Sequence, residues 1–203
     1  MSGAKIQFSD KERELMTNAD WILTKNGILQ KMALVFTDWQ ALYSARIARQ
    51  APTFFTTIQP FSYKISRGEN YKGLPWMVLD YPRLFGQTDT FAIRTLFWWG
   101  RYVTLTLQLA GTWKERCEES LCLSYPVLAR EEFRISTIDD AWIHDQDPAF
   151  TTEINNLTSE AYTHEIRKRS FLKISKIYPL EGVEKLDLRI QADFEQLLKA
   201  AGY

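Results

Sequence analysis

The segment GLPWMVLDYPRLFGQTDTFAIRTLFWWGRYVTLTLQLAG, from Gly73 to Gly111, constrains this chain more than any other. It is the most apolar and aromatic part of the sequence and reads as three consecutive β-strands. A half-buried pleated surface is filled by β-branched, aromatic and large aliphatic side chains, and the runs Phe91 to Trp98 and Arg101 to Leu109 supply them. Between them, Gly100 of Trp99-Gly100 offers the positive φ that a tight hairpin turn demands. With these two residues as the turn, Trp98 faces Arg101, Leu96 faces Val103, Arg94 faces Leu105 and Ala92 faces Leu107. The opposite face pairs Phe97 with Tyr102, Thr95 with Thr104, Ile93 with Thr106 and Phe91 with Gln108. The first face is the more apolar and is expected to meet the helices. The second is amphipathic and suits a ligand floor, a partner surface or a second layer.

Arg94 lies among aliphatic neighbours on the first face. An unpaired buried charge costs several kcal/mol, so a partner is required, and the candidates are Asp80 and a bound anion. The strand before the hairpin runs from Leu74 to Tyr81 and is ended by Pro82. An earlier one runs from Pro60 to Ser66, with Phe61, Tyr63 and Ile65 alternating with polar residues. The loop Arg67 to Gly73 joins the two, giving an antiparallel meander of about four strands.

Helical signals lie at both ends. Ser9 precedes Asp10-Lys11-Glu12 in a capping-box pattern, followed by the apolar stripe Leu15, Ala19, Ile22 and Leu23. Asn26-Gly27 is a stop signal. A second helix follows, with Ile28, Met32, Val35, Trp39 and Leu42 on one face. An unbroken helix from Asp10 to Arg49 would be about 60 Å long, so a break at Gly27 is expected. Past the meander, Thr112 to Leu123 reads as a helix ended by Pro126, and Phe133 to Thr137 and Ala141 to His144 as short strands. Ser159 to Lys168 reads as a helix capped by Thr158 or Ser159, and Phe171 to Tyr178 as the last strand. Gly182 precedes a closing helix, with Val183, Leu186, Ile190, Phe194 and Leu197 on one face. The expectation is a single α+β domain over 1–203. It has an antiparallel sheet of about four to six strands, an N-terminal helical hairpin (about 10–48) and a C-terminal helix (about 183–200).

Charge narrows the partners. The 25 Lys and Arg balance the 25 Asp and Glu, which disfavours a nucleic-acid grip and a polybasic membrane surface. No stretch approaches the roughly 20 apolar residues of a membrane span, and the first residues carry no apolar leader core. Two cysteines, Cys117 and Cys122, make no disulfide framework and read as free thiols in a reducing cytoplasm.

Several chemical motifs fall short. Gly68-Glu-Asn-Tyr-Lys-Gly73 has phosphate-loop spacing, but Leu74-Pro75 follows where Lys-Ser/Thr is required, and a strand follows where a helix is required. The segment from Asp139 to Asp147 holds four carboxylates and His144 but no established metal spacing. Its ordinary role is to solvate a turn. No nucleophile elbow or dinucleotide fingerprint is present, so no cofactor is expected. Arg167-Lys168-Arg169 with Lys173 and Lys176 reads as a solvated helix end. The remaining constellation is Arg67, Tyr71, Asp80, Tyr81, Arg83, Arg94, Trp98, Trp99 and Arg101, at strand ends and loops of the meander. Arginines among aromatics can hold a planar anionic or cyclic ligand by paired hydrogen bonds and stacking.

The runs RGENYKGLPWMVLDYPRLF, FAIRTLFWWG and VTLTLQLAG, with ILTKNGILQK nearer the N-terminus, resemble a family of bacterial proteins of the Bacteroidetes type over roughly residues 20 to 110. The resemblance brings no activity, cofactor or catalytic residue with it. Two functions stay open. One is binding of a small molecule or a protein partner over the aromatic and arginine rim, with a homodimer compatible with the exposed aromatics. The other is an enzyme acting on a small anionic substrate at the same surface.

Overall fold

The computed structural model describes residues 6–58 and 62–203. Its elements are α1 (Asp10–Thr17), α2 (Ala19–Gln50), α3 (Pro52–Ile58), β1 (Lys64–Tyr71), β2 (Leu74–Phe85), β3 (Thr90–Trp98), β4 (Tyr102–Ala110), α4 (Gly111–Leu123), α5 (Tyr125–Arg130), β5 (Arg134–Ser136), β6 (Thr151–Glu153), α6 (Ser159–Lys168), β7 (Phe171–Tyr178) and α7 (Asp187–Ala200). The strands form one antiparallel sheet of seven, ordered β1-β2-β3-β4-β7-β5-β6. The α+β class is as read from the sequence, and the sheet is wider than expected. Among the described residues no helix is long and apolar enough to cross a membrane.

The central hairpin differs from expectation by one residue. Its turn uses three residues, Trp99, Gly100 (φ +65°) and Arg101, so Trp98 pairs with Tyr102, Arg94 with Thr106 and Phe91 with Leu109. Side chains alternate along a strand, so a slip of one residue exchanges the faces of β4. The helices are met by Phe91, Ile93 and Phe97 together with Val103, Leu105, Leu107 and Leu109, all in the main core. The face holding Arg94, Leu96 and Trp98, expected to meet the helices, is the one turned away from them. The slip is favoured because it joins Val103, Leu105, Leu107 and Leu109 to Phe91, Ile93 and Phe97 in one core face, and leaves Thr104 and Thr106 beside Leu96 and Arg94.

β2 does not end at Pro82. It continues to Phe85 through an irregularity, with Asp80 opposite Arg94 and Arg83 opposite Ala92. Three residue steps on β2 thus match two on β3. This bulge re-aims the strand: Tyr81 and Leu84 go to the helix core, while Arg83 and Phe85 turn to the same face as Asp80.

The capping box forms as expected, with Ser9 N–H donating to Glu12 Oε2 (2.6 Å) and Glu12 N–H donating to Ser9 Oγ (3.3 Å). The expected break at Gly27 does not occur; the helix breaks at Asn18, whose Oδ1 caps α2 at Trp21. Glycine inside a helix costs only about 1 kcal/mol. The following turns offset this by burying Leu29, Met32, Phe36, Trp39, Tyr43 and Ile47. That stripe is rotated from the expected one, keeping Met32 and Trp39 but leaving Ile28 exposed. α2 is about 48 Å long at 1.5 Å per residue, so it overruns the sheet and leaves Trp21, Ile22 and Leu23 exposed.

Elsewhere, α4, α6, β5, β7 and the closing helix lie where the patterns placed them. Pro126 opens α5 instead of only ending α4, since proline fits a first helical turn. Residues 141–144 are loop, not strand. Pro60 and Phe61, the start of the expected first strand, lie outside the described residues.

Candidate functional site

The face of the sheet away from the helices is lined by a polar row crossing five strands: Lys64, Asp80, Arg94, Thr106 and Ser175 are successive cross-strand neighbours. Beside it lies an apolar row, Val78, Leu96 and Trp98, with Trp76 and Tyr71 packed against it. Such a face on one side of a sheet is either solvated or covered. Here it is partly covered by the loop 137–150, and the uncovered part is a cleft of about 700 Å³. Its floor is the sheet and its wall carries Ala141, Trp142 and His144.

Arg94 is the centre of the polar row. Its Nε donates to Asp80 Oδ1 (2.7 Å) and its Nη2 to Asp80 Oδ2 (2.9 Å), a parallel two-bond pairing. The expected partner is therefore the actual one. A third donor, Nη1, reaches His144 Nε2 at 2.9 Å. A guanidinium only donates, so Nε2 is the unprotonated nitrogen of a neutral ring. Burial first, then the charges of Arg94 and Lys173, push the His144 pKa down to about 3.

The loop wall is pinned to the sheet at several points. His144 N–H donates to Tyr71 Oη (2.8 Å) and Gln146 N–H to Tyr102 Oη (2.9 Å). Tyr102 Oη donates to Asp145 Oδ1 (3.1 Å), and Lys72 Nζ to Asp145 Oδ2 (2.6 Å). Burial raises the Asp145 carboxyl, but the bonds from Lys72 and Tyr102 outweigh it and leave its pKa below the usual value. Ser175 Oγ donates to Gln146 Oε1 (2.7 Å). Lys173 Nζ donates to the carbonyls of Asp140 and Ile143. Burial pulls its pKa down, the nearby Asp140 pulls it up and Arg94 pulls it down, to a net value of about 8. The acidic segment is thus a turn builder: Asp140 accepts from Trp142 N–H (2.7 Å) and Asp147 from Ala149 N–H (2.8 Å). Among the described residues no group of three or more His, Cys, Asp or Glu side chains is arranged to hold a metal ion.

Of the nine candidate residues, Tyr71, Asp80, Arg83 and Arg94 line the cleft. Trp98 supports it from the side, packing edge-on against Tyr71 (4.9 Å) and donating from Nε1 to Tyr71 O (3.2 Å). Arg101 lies over the Trp98 ring at 5.3 Å. The other three belong elsewhere. Tyr81 is buried in the helix core, Trp99 packs edge-on to Phe97 on the helix side (6.2 Å), and Arg67 is exposed opposite Met77, a helix-side residue. Arg67 departs because β1 runs on to Tyr71 where a loop was expected, so it lies within the strand, and Trp99 follows Phe97 onto the helix side of β3.

Residues not singled out from the sequence complete the site. Trp76 lies against Gly68, where an added Cβ would meet three indole atoms at 2.7–2.8 Å. Trp142 on the wall is 79% exposed. Gln108, 2% exposed, lines the inner end, and its Nε2 is buried with no acceptor among the described residues. The apparent phosphate loop is a hairpin end: Lys72 and Gly73 form a two-residue turn with positive φ at both. The basic cluster is largely paired internally, with Arg169 on Glu165 (2.6 Å) and Asp139 (3.4 Å) and Lys176 on Asp193 (2.7 Å). Both cysteines are free thiols.

Comparison with protein-family models, with curated proteins and with solved structures finds no match.

Proposed function

We propose that the chain binds a small organic molecule in the cleft between the open face of the sheet and the loop 137–150. The observation that carries this reading is the cleft itself. Its volume of about 700 Å³ falls in the range of small-molecule sites, roughly 300–1,000 Å³. Its lining combines Trp76, Val78, Leu96, Phe85 and Phe171 with a few converging polar groups, the usual composition of such sites. A concave, aromatic-lined cavity suits a small molecule better than a flat protein partner.

The enzymatic alternative needs a group free to move a proton. Both Asp80 oxygens are engaged by Arg94, and His144 Nε2 is occupied by the same guanidinium. These contacts favour binding over catalysis. Native mass spectrometry of chain purified without denaturation tests the reading, alongside a Ser66→Trp variant that fills the cleft. An added mass on the wild type that the variant lacks supports it. Identical bare masses for the two count against it.

A further inference from the structure

We infer that the ligand of this cleft is an apolar, ring-bearing carboxylate whose oxygens sit between Arg83 and Gln108. This rests on the cleft being a small-molecule site, as proposed above. The charged groups left over in the cleft are cations, which only donate. Lys64, Arg83 and Arg94 face a single carboxylate, Asp80, and Arg94 consumes it. Among the described residues Lys64 and Arg83 make no ion pair; Arg83 rests on the Phe85 ring at 5.6 Å. The cleft therefore carries uncompensated positive charge, and its matching ligand is an anion.

Gln108 locates the anion. A buried donor without an acceptor forfeits a hydrogen bond, and the terminal torsion of glutamine is soft, so a small rotation turns its N–H toward an arriving oxygen. Arg83 and Gln108 flank Ala92, with which each is paired across the sheet. Their backbones are thus two strand spacings apart, about 10 Å. Ala92 is the smallest side chain in that row, and it leaves a gap into which both long side chains can reach. The bulge at Tyr81-Pro82 is what brings Arg83 to this face. The rest of the ligand is apolar and planar because the cleft offers it indoles, Trp76 on the floor and Trp142 on the wall.

Fluorescence titration with naphthoate and with its methyl ester tests the inference, repeated across one- to three-ring analogues, on wild type and on Arg83→Gln, Gln108→Met and Ser66→Trp. Thermal unfolding of each variant checks that it folds. Charge-assisted hydrogen bonds are the strong class, so the acid is expected to bind about ten- to a hundred-fold more tightly than the ester. That preference should collapse in Arg83→Gln and weaken in Gln108→Met, while the ester binds wild type and these two variants alike and Ser66→Trp binds neither ligand. If acid and ester bind wild type equally and both are lost in Ser66→Trp, the carboxylate inference is overturned and the cleft survives. If no member of the series binds wild type, both the inference and the reading beneath it fall.

Discussion

Arg94 and Asp80 face each other across β3 and β2 through two parallel hydrogen bonds of 2.7 and 2.9 Å, with the Asp80 side chain 7% exposed and that of Arg94 16%. Breaking one partner of a buried pair leaves the other charge stranded, at roughly 3–5 kcal/mol. Arg94→Leu is therefore expected to destabilise the fold by about that amount, whereas Asp80→Leu/Arg94→Leu together should recover most of it. Urea denaturation of the two single variants and the double variant measures the coupling. Additive losses would show that the pair does not act as a unit.

His144 makes the wall acid-sensitive. Its ring is neutral when folded, with a pKa near 3 against an ordinary value of 6.5. Below pH 6.5 the unfolded chain takes up a proton that the folded chain refuses, so stability falls as pH drops toward 3, by at most about 1.4 kcal/mol per pH unit. His144→Gln keeps an acceptor for Arg94 without titrating. Stability curves from pH 7 to 4 should therefore be flatter for the variant than for wild type.

Gln108 points to a conflict between stability and binding. Replacing a buried group that lacks a partner with an apolar one of similar shape is neutral or stabilising. Gln108→Met is expected to raise the thermal midpoint of the unliganded protein while weakening acid binding. A lowered midpoint would mean that the amide already has partners.

Gly68 serves close approach, not a turn. A methyl group there would meet the Trp76 indole at 2.7–2.8 Å, so Gly68→Ala should drive that ring into the cleft. The expected result is a shifted tryptophan emission and naphthoate binding weaker by at least about ten-fold, with the far-ultraviolet dichroism of the sheet retained.

The same residues show what the sequence made legible. Gly100 marks the hairpin correctly, because few residues other than glycine accept its φ of +65°. Whether the turn takes two residues or three is decided by the whole core, and including Arg101 set the aliphatic residues of β4 beside Ile93 and Phe97 and its threonines beside Arg94 and Leu96. Asp80 was readable as the partner of Arg94 because a buried guanidinium demands a nearby acid on an adjacent strand. His144, 50 residues further on in an irregular loop, left no periodic signal. Arg83 was found for its charge, but its orientation depends on a bulge that no local pattern announces. Gly27 misled because the stop signal at Asn26-Gly27 is weaker than the burial gained by the turns that follow.

The most direct test of the cleft as a ligand site is ligand-observed NMR screening of a small aromatic fragment library against wild type and Ser66→Trp. The account predicts that fragments bind wild type, that carboxylates dominate among them, and that filling the cleft at Ser66 removes their signals. Fragments that bind both proteins equally, or none that bind wild type, would contradict it.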